Sequence, residues 1–302
     1  MKTIGRDCLI ILAAALILLP HPSQARAVLL LVSSDDPYEM KIAAGFKKSF
    51  NSLYDEVNLF GLEDRSRNLG EKLVSEPPRL MVVIGNLAAK TAKQYCAGCP
   101  IVYAAANNPE VINLAGANVF GISSLPTPAK VIENLRLAFP DLKKVGLIYQ
   151  PKYVGKYAAQ IQAEANKAGL ALNAVAISEM KEIPRVFEQI SAKIDLLLLI
   201  EDPGVVNDDT LPYLFINSFK KKIPLFVSSE ELLKKCGIAG YGHNPEQLGA
   251  ELANLASDIL AAKILPNNIK TASGNLVLNK KIAQMYNYNF SALANAKGIT
   301  IQ

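Results

Sequence analysis

PRLMVVIGNLAAKTA, residues 78–92, carries a complete strand–turn–helix unit. Leu80–Ile84 is apolar at every position, and a strand apolar on both faces belongs inside a parallel sheet that helices cover on both sides. Gly85-Asn86 then turns the chain into a helix over 87–95. The same alternation spreads outward in both directions. Toward the N-terminus lie a strand at 28–32, a helix over 37–54 with Asp36 as N-cap and Pro37 at its first position, a strand at 57–60, and a helix over 67–75 stopped by Pro77-Pro78. Strands at 101–105 and 118–122 complete one set.

A second set begins after the Pro-punctuated stretch 124–128. Helices are expected over 130–139, 154–168, 183–193 and 208–221, between strands at 145–149, 171–177, 196–200 and 225–227. The tail adds a strand at 238–241, a long helix over 245–262 and a last strand at 276–278, which points to a chain that returns to its first half. The expected fold class is α/β, with two doubly wound parallel-sheet lobes joined by a three-crossover hinge. Residues 28–121 with 237–270 are assigned to the N-terminal lobe, and 122–236 with 271–302 to the C-terminal lobe.

Ahead of the first strand stands MKTIGRDCLIILAAALILLPHPSQARA. It has a charged start (Lys2, Arg6), an apolar run over 9–19, Pro20, and small residues around Ala25 and Ala27, the features of an export signal cut near Ala27. The apolar run falls short of the roughly 20 residues that span a bilayer. Periplasmic localisation is expected, without a lipid anchor because no Cys follows the cut. Cleavage would remove three basic residues and one acid, lowering the net charge of +5 by two. No basic run is dense enough for a nucleic-acid partner, and a monomer is expected.

The usual catalytic reagents are scarce. Loss of the leader would leave His243 as the single histidine, so a multi-histidine metal site is excluded and no metal is expected. There is no Gly-Lys-Ser/Thr phosphate loop and no G-x-S-x-G elbow. Cys96 and Cys99 have dithiol spacing at the end of a helix, where a structural disulfide or two quiet thiols is expected. Binding without catalysis and without cofactor follows, with an exported enzyme as the weakest reading.

In open parallel sheets the ligand crevice lies beyond the carboxyl ends of the strands. Those ends here hold Ser34, Asn86 and Asn108 in the first set, and Tyr149, Asp202, Ser229, Glu230 and Tyr241 in the second. Helix starts at Asp36/Pro37 and Asn86/Leu87 suit a carboxylate. Asp202 and Glu230 suit an ammonium, and Tyr149 or Tyr241 could cover a side chain.

The stretches PRLMVVIGNLAAKTA, CPIVYAAANNPEV, NVFGIS, KVGLIYQP, IPLFVSSEELLKKCGIAGYGHNPEQLG and KGITI, in this order, resemble ABC-transporter substrate-binding proteins of the tryptophan/tyrosine-binding type, a branch of the type I periplasmic binding proteins. The resemblance implies two lobes that close on a small amino-acid-like or related organic solute and pass it to an ABC permease. A sensory module reporting to a membrane receptor is the alternative. It implies hinges near 121–123, at Cys236-Gly237 and near 270–274, and ligand contacts at Asn86, Asn108, Tyr149, Asp202, Ser229, Glu230 and Tyr241. Asn86 and Asn108 stand where the family usually has a hydroxyl residue and Asp, which points away from an aromatic amino acid.

Overall fold

Every side chain of Val28–Val32 is buried, and alternate residues feed different cores. The structure, a computed structural model, describes residues 28–96, 98–106, 114–263, 268–293 and 298–301. The expected leader and Asn108 lie outside the described residues. In chain order the elements are β1 (Val28–Val32), α1 (Pro37–Ser49), β2 (Tyr54–Asn58), α2 (Glu63–Ser75), β3 (Leu80–Ile84), α3 (Asn86–Tyr95), β4 (Ile101–Ala104) and β5 (Val119–Ser123). There follow α4 (Pro128–Ala138), β6 (Lys144–Tyr149), α5 (Pro151–Lys167), β7 (Ala171–Ala176), α6 (Ile183–Ser191), β8 (Leu196–Leu199), α7 (Leu211–Lys220) and β9 (Leu225–Val227). The tail comprises α8 (Glu230–Lys235), β10 (Ala239–Gly242), α9 (Pro245–Leu260), β11 (Ile269–Thr271), β12 (Asn275–Leu278), α10 (Lys280–Met285) and β13 (Ile299–Ile301).

Two sheets result, ordered β11-β5-β4-β3-β1-β2 and β13-β12-β10-β9-β8-β6-β7. All recorded pairings are parallel except β10 with β12. Each sheet is covered on both faces. Val28, Leu30 and Val32 pack with Ile42 and Phe46 of α1 and Leu248 and Leu252 of α9, whereas Leu29 and Leu31 meet Leu73 of α2 and Ala88 and Ala92 of α3. In β8, Leu196 and Leu198 share a core with Leu135 and Ile161, and Leu197 and Leu199 with Phe187 and Leu214. Burying one leucine side chain contributes about 1.5–3 kcal/mol, which is why so apolar a strand is held at the centre.

The chain does return to its first half, through α9 and β11, but β10 does not. β10 lies between β9 and β12 of the second sheet, with Ala239 opposite Phe226 and Leu278. Its glycines permit this: a Cβ on Gly240 would lie 2.6 Å from the Val227 carbonyl oxygen, and one on Gly242 2.6 Å from Val277 Cγ2. Strand β5 stays in the first sheet to Ser123 and β11 to Thr271. The crossovers are therefore residues 124–127, 243–244 and 272–274. Cys236-Gly237, expected as a hinge, is instead a turn inside the second lobe. Helix α8 and strands β11 and β13 were not anticipated from the periodicity, being too short to show one.

Cys96 and Cys99 form a disulfide, both residues buried where α3 hands over to β4. Cys236 is a buried free thiol whose pKa burial pushes up to about 12. No helix among the described residues is long and apolar enough to cross a membrane.

Helix α9 meets α1 backbone to backbone. A Cβ on Gly45 would lie 2.0 Å from the Glu246 carbonyl oxygen, and one on Gly249 2.0 Å from that of Ile42. Gly249→Ala is accordingly expected to destabilise the protein by about 1–3 kcal/mol, lowering Tm by roughly 2–4 °C per kcal/mol. Gly155→Ala in α5, whose added Cβ would touch only Pro151 Cβ at 3.4 Å, should leave the melting curve unchanged or raise it.

Candidate ligand-binding site

A tyrosine hydroxyl meets each of the three crossovers. Tyr157 Oη, from α5, donates to the Pro126 carbonyl at 2.6 Å. Tyr241 Oη, from β10, donates to the Ala272 carbonyl at 2.7 Å. Tyr38, in the first turn of α1, hydrogen-bonds His243 Nε2. Burial lowers the His243 pKa against the opposing pull of Glu230 and Glu251, so the imidazole is neutral at pH 7 and its tautomer sets which of the two groups donates. His243 Nδ1 is buried with no partner among the described residues. All three tyrosine pKa values are raised by burial, Tyr241 to about 12, so the hydroxyls stay protonated.

The second-lobe rim is built from the ends of β6, β8 and β9. Glu201 follows β8, and its amide donates to Ser228 Oγ at 3.0 Å. Its carboxyl pKa is raised, chiefly by burial and further by Glu231, against a hydrogen bond from Ser229. Negative charge at Glu201 is felt by Tyr157 and, across the lobes, by Tyr38, whose pKa it raises together with Glu230. No Lys, Arg or His is paired with Glu201 among the described residues. Glu201 is thus a half-buried carboxylate at a strand end with no ion-pair partner among the described residues.

On the described part of the first-lobe rim, side-chain oxygens take several of the donors at the helix starts. Asp36 caps α1, its Oδ1 accepting from Tyr38 N at 2.9 Å and Glu39 N at 3.3 Å. Glu39 Oε2 accepts from Ser34 N at 2.9 Å and Ser34 Oγ at 2.8 Å. Ser33 Oγ donates to the Ile84 carbonyl and accepts from Ala88 N in the first turn of α3, both within 2.9 Å. Burial raises the Glu39 pKa, the two bonds from Ser34 opposing it.

Several residues expected to touch ligand have other duties here. Asp202 is fully buried and accepts from Gln150 N at 2.6 Å and Gly204 N at 2.9 Å, so it ties the β6 and β8 loops together. Tyr241 belongs to the hinge: its ring lies where a side chain on Gly274 would stand. Ser34 is held by Glu39. Ser229 caps α8 and serves Glu201, and Glu230 pairs with Lys234 at 2.9 Å. Asn86, exposed on the first residue of α3, and half-buried Tyr149, at the end of β6, remain open on opposite rims. Sequence reasoning missed Glu201, Glu39, Tyr38 and His243. Glu201 stood at a strand end beside Asp202, and its missing neighbouring cation was the available signal.

A groove of about 780 Å³ lies around the crossovers, where Glu230, Tyr241, His243 and Ser273 line it; Glu201, Tyr149 and Asn86 do not. A smaller one of about 300 Å³ lies at the second-lobe rim and is lined by Glu201, Asn207, Asp208, Ser229, Glu231 and Lys235, all of the second lobe. Among the described residues no group of His, Cys, Asp and Glu is placed to hold a metal ion.

Two covered sheets joined by three crossovers make a two-lobed α/β architecture. The chain belongs to the ABC transporter substrate binding protein family, whose profile matches residues 42–294. It is 26% identical over 230 residues to a tyrosine-binding protein of Clostridioides difficile, the match covering 72% of this chain and 65% of that protein's length. The ligand-free, open structure of a substrate binding protein with adhesive properties from Clostridium difficile has a TM-score of 0.73 at 20% identity, covering 92% of this chain and 99% of that one. An ABC domain from Streptococcus pneumonia in complex with L-Trp has a TM-score of 0.66 at 21% identity, covering 91% of this chain and 100% of that one. The fold is that of the type I periplasmic binding proteins.

Two outcomes follow from the site. Tyr241→Phe leaves the Ala272 carbonyl without its donor, a loss of about 1–3 kcal/mol. Hydrogen exchange at the Ala272 and Ser273 amides should then quicken roughly ten- to a hundred-fold, with β1 and β8 unaffected. The second concerns Glu201, whose raised native pKa means that the folded state gives up its proton less readily than the unfolded chain. Its ionisation therefore costs stability at neutral pH, a cost that vanishes as pH falls below the ordinary carboxylate range. Ligand-free Glu201→Gln is expected to melt above the parent protein at pH 7.5 and to converge with it near pH 4.

Proposed function

We propose that this chain is the periplasmic solute-binding component of an ABC-type importer, exported with residues 1–27 removed. It binds a small organic solute of amino-acid-like size between its lobes and delivers it, chemically unchanged, to an inner-membrane permease. The observation that carries this reading is Glu201, a half-buried carboxylate with no ion-pair partner among the described residues, on a rim whose charge reaches Tyr38 of the opposite lobe. An ammonium group on the solute would supply the missing charge. Tyr149 and Tyr38 offer ring faces to the same cation or to the solute's side chain. Family membership supports the transport role, and the relatives that bind tyrosine and L-Trp support a solute of that size.

Closure needs no chemistry in this scheme. A solute that contacts both rims binds the closed arrangement better than the open one and shifts the population by that difference. Rotation would fall on 124–127, 243–244 and 272–274, leaving both cores intact.

The test is a thermal-shift screen of residues 28–302 against amino acids, amines, short peptides and small organic acids. A ligand at 100 times its Kd adds about 2.7 kcal/mol, so a true solute should raise Tm by roughly 5–10 °C. Glu201→Gln should abolish that rise while the variant stays folded. Turnover of a bound compound, or no shift from any class, would overturn the proposal.

A further inference from the structure

We infer that the solute held between the lobes is an organic amine or ammonium ion that carries no carboxylate, because among the described residues of the first-lobe rim the protein's own side chains already occupy the donors of Ser34, of the α1 start and of Ala88. The inference rests on the interlobe reading above and narrows its solute class.

A carboxylate in such a cleft is ordinarily held by open backbone N–H groups at helix starts, by hydroxyls, or by Lys and Arg. On this rim the α1 start is closed by Asp36, which takes both Tyr38 N and Glu39 N. The Ser34 amide and hydroxyl, the next donors available, both go to Glu39 Oε2. In α3, Ala88 N goes to Ser33 Oγ. The other Glu39 oxygen lies against Gly85, the residue that opens α3: a Cβ built there would be 2.1 Å from Glu39 Oε1. The Glu39 carboxylate thus sits where a ligand carboxylate would otherwise rest, between the Ser34 donors and the α3 start.

The charges agree. Asp35, Asp36 and Glu39 stand on one rim, and Glu201 and Glu230 on the other. None of the described strand-end residues is Lys or Arg. Cations on neighbouring turns are engaged elsewhere: Lys235, which lines the groove beside Glu201, with Glu231 at 2.7 Å, Lys90 with Glu63 at 3.1 Å, Arg65 over the Phe60 ring, Lys152 over the Tyr153 ring. Like charges brought together in a half-buried cleft repel more strongly than they would in open water. A zwitterion therefore meets repulsion at its carboxylate and finds few open donors, whereas its decarboxylated counterpart keeps the attraction to Glu201 and loses the repulsion.

Matched pairs decide the matter, measured by calorimetry on residues 28–302: tyramine against L-tyrosine, tryptamine against L-tryptophan, cadaverine against L-lysine. Whichever skeleton binds, the amine is expected to bind at least ten-fold tighter than its amino acid. Glu39→Ala frees the Ser34 donors and should cut that preference at least ten-fold by strengthening amino-acid binding. Glu39→Gln, which removes the charge but keeps an acceptor for Ser34, should do so partially and stands in if the alanine variant fails to fold. An amino acid binding as tightly as its amine, or a preference that neither variant moves, overturns this inference while leaving the interlobe site standing. No binding from these pairs or from the wider screen overturns the interlobe reading and this inference with it.

Discussion

The backbone contact between α1 and α9 is the constraint on which the two-lobed architecture depends. With Gly45 and Gly249 each opposite a carbonyl of the other helix, the axes come closer than side chains would allow. Leu248, Leu252 and Ala256 then reach the core under β1 and β3. That burial draws the chain back into the first lobe after β10 has joined the second sheet. A return trip requires a second crossover, and leaving again for β12 requires a third. A chain with one crossover would join two lobes as beads on a string. Three make a hinge with a defined axis.

The tyrosine contacts give that hinge its stiffness. Two of the hydroxyls come from the second lobe and one from the first, so the crossovers are anchored from both sides. Tyr38 has a further position: it is rooted in α1, bonded to the second crossover, and exposed to the charges of Glu201 and Glu230.

Much of the fold was legible in the chain because buried parallel strands write themselves as unbroken apolar runs. Val28–Val32, Leu80–Ile84 and the leucines of β8 could be read without ambiguity. Strand β10 could not be placed that way. Ala-Gly-Tyr-Gly has no apolar run, and its lobe is chosen by the space its glycines vacate against Val227 and Val277, a tertiary fact. Site residues were legible only by location. Strand ends marked candidate loops, but Asp202 and Glu201 are neighbours with different surroundings, one held by backbone amides and the other without an ion-pair partner among the described residues. Sequence supplies the carboxylate, and only packing decides which of the two is spent on holding a loop.

The same acidic rims that would select a cation bear on the empty protein. Bringing Asp35, Asp36 and Glu39 toward Glu201 and Glu230 concentrates negative charge in a shrinking, poorly hydrated space. Each added like-charge pair at close range opposes closure by an amount comparable to a hydrogen bond. In the proposed scheme the unfilled cleft is held open by its own electrostatics, with no steric block required. An ammonium group entering between the rims reverses the sign of that term, attracting both sides at once. The energy that favours closure then scales with the charge the solute brings, and a solute bearing its own carboxylate forfeits much of it.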